Sequence, residues 1–398
     1  MKRGHMLSVT LLFNTFSWYF MGRLIIGNIS SGRSFESLWL ELSYSLAIIV
    51  AALVGSVIFK KVQKVRFFYI WLLLGVGASL GLMSVANSSF LPILFGTSCL
   101  GISLGLGMPS CLGYFTESVP IENRGKSGGI VLFATTFSAP LALVATATIG
   151  TMWSILLLAV WRAWSLPLLF CTAGKELPSK HHALGTPSLA KVLQNRTFYL
   201  YFIAWLMFAL VDSFETMFVN LRVGEFQLLM GIMEPAVAGF SALIGGIISD
   251  WVGRKRVLIF GFVSLGIAYA TIGFLSQIWI SWFFYFIIDG MALGLLWVMF
   301  TIVIWGEVNR EKTEKYYAVG ETPFFLTQML YIALMPYVES ISESSAFSLA
   351  AFFLFIAVVP LLFAPETLPE KKMKQRQLKM YTKEAIQLKQ SVEQKSND

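Results

Sequence analysis

Apolar runs alternate with short polar connectors along almost the whole chain. A helix that crosses a bilayer needs about 20 mostly apolar residues. Such runs fall at about 7–28, 38–59, 67–86, 90–115, 128–149 and 151–171. A second set follows at about 197–220, 228–249, 257–276, 278–306, 318–337 and 345–364. The pattern predicts an all-α integral membrane protein of twelve transmembrane helices, spans 1 to 12. The polar stretch 172–196 splits it into an N-terminal six-helix half (1–171), a connector (172–196), a C-terminal six-helix half (197–365) and a basic tail (366–398). The first run follows Met1-Lys2-Arg3, yet at about 22 residues it exceeds a signal-peptide core of about 7–15, and no small-residue cleavage site follows. It reads as span 1.

Composition agrees. The chain is 56% hydrophobic and 15% aromatic, with mean hydropathy +0.71. Its 13% charge is about half the roughly 25% of a soluble domain. A soluble enzyme, a disordered chain and a disulfide-stapled module are excluded. Cys99, Cys111 and Cys171 sit in apolar runs, so no disulfide framework is implied. The net charge is +8, and its placement says more than its size. With the N-terminus inside, 26 of the 30 Lys and Arg fall in inner segments; Arg33 and Arg222 lie outside, and Arg23 and Arg162 lie within spans. Basic residues concentrate in cytoplasmic loops. Both termini are therefore expected in the cytoplasm of a cell-membrane, multi-pass protein. The basic loops read as topology and attraction to anionic lipid, not as a nucleic-acid surface.

The two halves repeat. Leu100-Gly101-x-x-Leu104-Gly105 in span 4 matches Asp289-Gly290-x-x-Leu293-Gly294 in span 10 at an offset of 189. Glu117 matches Glu307 at 190, Gly55 matches Gly246 at 191, and Pro167-Leu-Leu-Phe170 matches Pro360-Leu-Leu-Phe363 at 193. Matches in order with so little drift indicate a duplicated six-helix unit.

The loop motifs carry a resemblance. Gly246-x3-Asp250-x2-Gly253-Arg254-Lys255 joins spans 8 and 9. Gly246 permits close helix approach, Asp250 suits a neighbouring helix N-terminus, and Arg254 can grip carboxylates at other helix ends. With two six-helix halves and a connector, this loop resembles the signature of the major facilitator superfamily of secondary transporters. The resemblance implies a cytoplasmic latch made by Gly246, Asp250, Gly253, Arg254 and Lys255. It also implies a small-molecule substrate, no cofactor, and a monomer self-sufficient in the lipid bilayer. The first half departs from the pattern: Phe59 replaces the acid, and Lys60-Lys61-Val62-Gln63-Lys64 lacks Gly-Arg. Glu117-x2-Pro120-x3-Arg124-Gly125 and Pro365-Glu366-Thr367 resemble the sugar-porter branch, where such acids and arginines form cytoplasmic ion pairs; Glu117, Arg124, Glu307 and Glu366 are the candidates here. Gly174-Lys175-Glu176-Leu177-Pro178 is a looser version.

Other chemistry finds no support. Arg124-Gly125-Lys126-Ser127 ends like a phosphate-binding loop, but Pro120 stands where that loop needs glycine, and no strand precedes it. Gly77-Ala78-Ser79 looks like an intramembrane serine motif, but His5, His181 and His182 all fall outside the predicted spans. No His or Cys cluster suggests a metal, and no enzyme is expected.

Ionisable groups inside spans are functional candidates by default. By the resemblance, spans 1, 4, 7 and 10 line the central cavity. Asp289 lies roughly 16 Å into span 10 at about 1.5 Å per residue, near the midplane, and its repeat mate is Leu100. A lone acid in a low-dielectric cavity suits proton exchange, so Asp289 is the proton-coupling candidate; a structural acid bonded to a neighbouring helix is the alternative. Asp212 and Glu215 share one face of span 7. Arg23 stands opposite position 214 under the repeat, so Arg23 with Asp212 or Glu215 is a candidate outer gate or substrate clamp, with snorkelling to headgroups as the plain alternative. Glu41, Glu234 and Glu321 read as interfacial. Arg162 reads as a structural pair or a snorkelling residue. Trp18, Tyr19, Trp205 and Trp297, with Tyr114, are substrate-contact candidates that equally suit packing. The overall expectation is proton-coupled symport of a small polar organic solute by alternating access. Proton-antiport efflux, uniport, and a non-transporting sensor or scaffold stay open. Span 5 carries Phe137-Ser138-Ala139-Pro140-Leu141-Ala142 without the glycines usual in the family's antiporters, which favours symport or uniport.

Overall fold

The computed structural model describes residues 3–29, 34–58, 64–173, 189–221, 229–309, 313–326 and 340–370, with Gln375, Leu378 and Thr382 of the tail. The predicted runs fold as helices: span 1 at Arg3–Ile29, span 2 at Ser34–Ile58, span 3 at Lys64–Val85, span 4 at Phe90–Ser118 and span 5 at Arg124–Ile149. Span 6 runs as Thr151–Ala163 and resumes as Ser165–Ala173. In the second half span 7 is Arg196–Leu221, span 8 is Glu234–Val252, span 9 is Arg254–Leu275 and span 12 is Glu343–Phe363. Span 10 starts at Trp279–Trp297, widens into a π-helical turn at Val298–Val303 and ends at Trp305–Val308. Span 11 begins with Thr313–Gly320; its predicted continuation 327–337 lies outside the described residues, as do Phe59 to Gln63, Gly174 to Pro178 and both connector histidines. Ten helices among the described residues are long and apolar enough to cross a membrane. The protein is all-helical and multi-pass.

The repeated glycines explain how each half packs. Without a side chain at these positions, helix backbones can approach closely inside a membrane. Gly101 and Gly105 of span 4 lie against the carbonyls of Tyr44 and Ile48 in span 2. Gly290 and Gly294 of span 10 lie against those of Glu234 and Ala238 in span 8. One contact has been built twice. The halves then meet along spans 5 and 8, where Gly125 and Gly246 cross backbone to backbone and Gly129 rests on Ala242. Further along, Phe133 and Phe137 pack on Phe240 at 5.2 and 5.8 Å between ring centroids. The connection from span 8 to span 9 turns at Gly253, whose φ of 105° disfavours any side chain.

Candidate functional site

At the end of the bundle where Gly125 and Gly246 cross, spans 5 and 8 are tied. Asp250, at the end of span 8, accepts the backbone N–H groups of Gly125 (3.0 Å) and Lys126 (2.8 Å) in the first turn of span 5. A carboxylate there answers orphan donors and the positive end of the helix dipole. Arg254 is fully buried. Its Nη1 pairs with Asp250 at 2.5 Å, and its Nη2 pairs with Glu307 Oε1 at 3.1 Å. It also donates to Ser249 Oγ and to the Ile121 carbonyl, both at 2.9 Å. Thr367 donates to Glu307 at 2.7 Å. Glu366 accepts the backbone N–H groups of Arg254 (2.9 Å) and Lys255 (3.1 Å), capping span 9. Lys255 Nζ donates to the carbonyls of Leu362 (2.7 Å) and Ala364 (2.9 Å). Arg124 reaches the carbonyl of Gly306 across the halves at 3.3 Å, along with those of Val119 and Thr116. Glu117, the repeat mate of Glu307, is exposed.

Between the middle of span 10 and the end where span 8 begins, the second half holds an acidic cluster. Asp289 and Glu215 are buried, 6% and 7% exposed. Tyr269 Oη lies 3.4 Å from Asp289 Oδ1 and donates to it; Tyr285 donates to Glu215. The two tyrosine rings are 5.6 Å apart and bridge the acids. Asp212 and Glu234 lie within electrostatic reach of Asp289. Among the described residues none of these four acids makes an ion pair. Arg23 lies within electrostatic reach of Asp212. Arg23 pairs with Glu41 of span 2 at 3.3 Å, not with Asp212 or Glu215.

Aromatic residues pack where spans 1, 10 and 11 meet. Tyr19 touches Phe324 and Phe325 at 5.7 and 5.5 Å, and Phe20 stacks on Trp297 at 5.8 Å. Trp205 is stacked between Phe208 and Phe300 inside the second half. Tyr114 reaches the Gly4 carbonyl at 3.5 Å. Ser79 donates to the Gly75 carbonyl of its own helix at 2.9 Å, so its hydroxyl serves span 3.

The C-terminal residues 197–391 match the family model of the Major Facilitator Superfamily. Over 91% of this chain the fold matches 98% of FucP, an E. coli fucose:proton symporter solved in its outward conformation, with TM-score 0.73 at 10% identity. The family model thus covers the second half of the chain, and the solved structures share its fold across both halves. Its fold also matches the proton:xylose symporter XylE (TM-score 0.70, 14% identity, 90% of this chain and 96% of the other). The human organic anion transporter TETRAN matches at TM-score 0.68 and 14% identity, over 90% of this chain and 99% of that one. No curated protein sequence matches the chain. At these identities the solved structures establish the superfamily fold alone.

Two superfamily positions differ from the sequence expectation. Glu321 is buried within the protein, 3% exposed, beside Met108, Leu112, Tyr317 and Phe325, and among the described residues its carboxylate oxygens have no hydrogen-bond partner. Arg162 neither snorkels nor pairs with an acid. It is fully buried, with Nη1 donating to Asn14 Oδ1 at 2.9 Å and to Thr15 Oγ1 at 3.4 Å. Its guanidinium lies 4.2 Å from the Trp71 ring and 4.9 Å from that of Trp18. A usable signal existed in the sequence: spans 1, 3, 5 and 6 contain no Asp or Glu, so a cation there had no acid on those helices.

Proposed function

We propose that this membrane protein is a proton-coupled symporter of a small polar organic solute, working by rocking of its two halves about a midplane site. The observation that carries the reading is the buried pair Asp289 and Glu215, bonded to Tyr269 and Tyr285, with the half-buried Asp212 and Glu234 within electrostatic reach of Asp289 and no ion pair to any of the four among the described residues. Asp289 exchanges the coupled proton, and Glu215 shares it through the tyrosine pair. The network around Asp250, Arg254 and Glu307 is the latch that closes the cytoplasmic end and must break when that end opens. Both termini then lie in the cytoplasm, and the protein works as a monomer in the cell membrane. Arg23 with Glu41 forms the outer gate on the first-half side, facing Asp212. Two structural relatives named as sugar:proton symporters support this mode.

The test uses the purified protein in proteoliposomes with an imposed inward proton gradient and a panel of labelled sugars and organic acids. Wild type should accumulate one class above equilibrium, and Asp289→Asn should abolish accumulation while still exchanging that solute across the membrane. An Asp289→Asn protein that accumulates solute as wild type does overturns the coupling role. Solute driven outward by the same gradient would replace symport with antiport.

A further inference from the structure

Among the described residues the buried arginine of the first half has no charge partner, and its surroundings are a set of donors. Arg162 lies about 16 Å along span 6 from Thr151 at about 1.5 Å per residue, which is midplane depth. One guanidinium nitrogen is used by Asn14 and Thr15, while Nε and Nη2 are buried with no acceptor. Two more buried donors close by lack an acceptor. Trp18 Nε1 belongs to a ring stacked on the guanidinium, and the Tyr44 hydroxyl lies within electrostatic reach of it. The remaining acids of the first-half spans are remote or occupied: Glu36 and Glu41 begin span 2, Glu41 pairs with Arg23, and Glu117 is exposed at the far end of span 4.

The position is also built to hold this side chain. A Cβ on Gly75 would come within 2.8 Å of Arg162 Nε and 2.9 Å of its Cγ, so glycine leaves the channel through which the side chain passes span 3. Trp71 is fixed in turn by its Nε1 donating to the Ser103 carbonyl at 2.7 Å. A charge held this firmly at mid-depth with its donors unanswered needs an anion from elsewhere.

We propose that Arg162, with Trp18 and Tyr44, is the subsite that binds the carboxylate of an organic monoanion, which makes the transported solute a monocarboxylic acid. One cation fits one negative charge; a dianion would leave net charge inside the bundle. Guanidinium and carboxylate are matched as planar, bidentate partners. This rests on the transport reading above only for the word transported; binding stands apart from it. The acidic cluster of the other half would then handle the proton while the first half holds the anion.

The test measures melting of the purified full chain with millimolar matched pairs that differ only in charge, glucuronate against glucose and benzoate against benzyl alcohol. At least one acid should raise the melting temperature by a few degrees and its neutral counterpart should not. Arg162→Gln should abolish that rise, and Arg162→Lys should restore part of it. Without ligand, Arg162→Gln should melt no lower than wild type, because it removes an unanswered buried charge. A neutral counterpart as effective as its acid overturns the proposal, as does a wild type unmoved by either acid. An Arg162→Gln protein that melts several degrees lower and still responds to acid shows that Arg162 only supports the fold. Asp289→Asn separates the two readings: it should keep the acid-dependent rise while losing accumulation.

Discussion

Among the described residues two arginines are completely buried, one in each half, and their surroundings are opposite. Arg254 is held by Asp250, Glu307, Ser249 and a carbonyl, so its charge and donors are answered. Arg162 faces two indole rings, an amide and a hydroxyl, and part of its guanidinium is unanswered. Stacking on aromatic faces offsets about 0.5–2 kcal/mol per ring, less than the several kcal/mol that burying an ion costs. An answered charge of this kind ties structure together. An unanswered one is retained where a ligand completes it.

That contrast can be broken by experiment, and the largest effect is expected at Arg254. Replacing it with Ala leaves Asp250 and Glu307 facing each other's charge inside the protein and should cost about 3–5 kcal/mol, read as a large fall in melting temperature. The same truncation at Arg162 should cost far less. Equal losses would dissolve the distinction between the two sites. Next is the crossing of spans 5 and 8. Gly246→Val pushes a side chain into the Gly125 backbone, and overpacking of this kind costs about 1–3 kcal/mol; the readout is again melting, with loss of transport. Thr367→Val removes a donor from Glu307 and should cost about 1–3 kcal/mol by leaving that acceptor short of a partner. The smallest effect belongs to Glu117→Gln. Glu117 is exposed where its repeat mate Glu307 is buried, so the change should stay within about 0.5 kcal/mol. A large loss there would mean that the ion-pair network is shared between the halves after all.

The repeat clarifies why the two halves diverge. At the offset of 193 that aligns Pro167 with Pro360, the mate of Arg162 is Phe355, which is exposed on span 12. At 189 the mate of Asp289 is Leu100, and the Tyr44 carbonyl that receives Gly101 corresponds to the Glu234 carbonyl that receives Gly290. The glycine contacts on which helix packing depends recur in both halves, while the mid-span side chains differ: Arg162 in one, Asp289 in the other.

The sequence by itself determined the helical, multi-pass membrane fold, and it marked the loop between spans 8 and 9 as locally organised. The bilayer imposes a length on every apolar run, and a loop that turns at Gly253 and gathers Asp250 with Arg254 over four residues is local chemistry. The helix ends at Arg3, Ile29, Glu343 and Phe363 follow the hydropathy pattern to within a few residues. The tertiary structure alone decided who partners whom across long separations. It gave Arg23 to Glu41, Glu307 to Arg254, and left Arg162 between Trp18 and Trp71 and, among the described residues, the Glu321 carboxylate without a hydrogen bond. Hydropathy reports whether a residue lies in the membrane, but it carries no information about helix rotation, and rotation is what sets a buried charge beside a partner or apart from one.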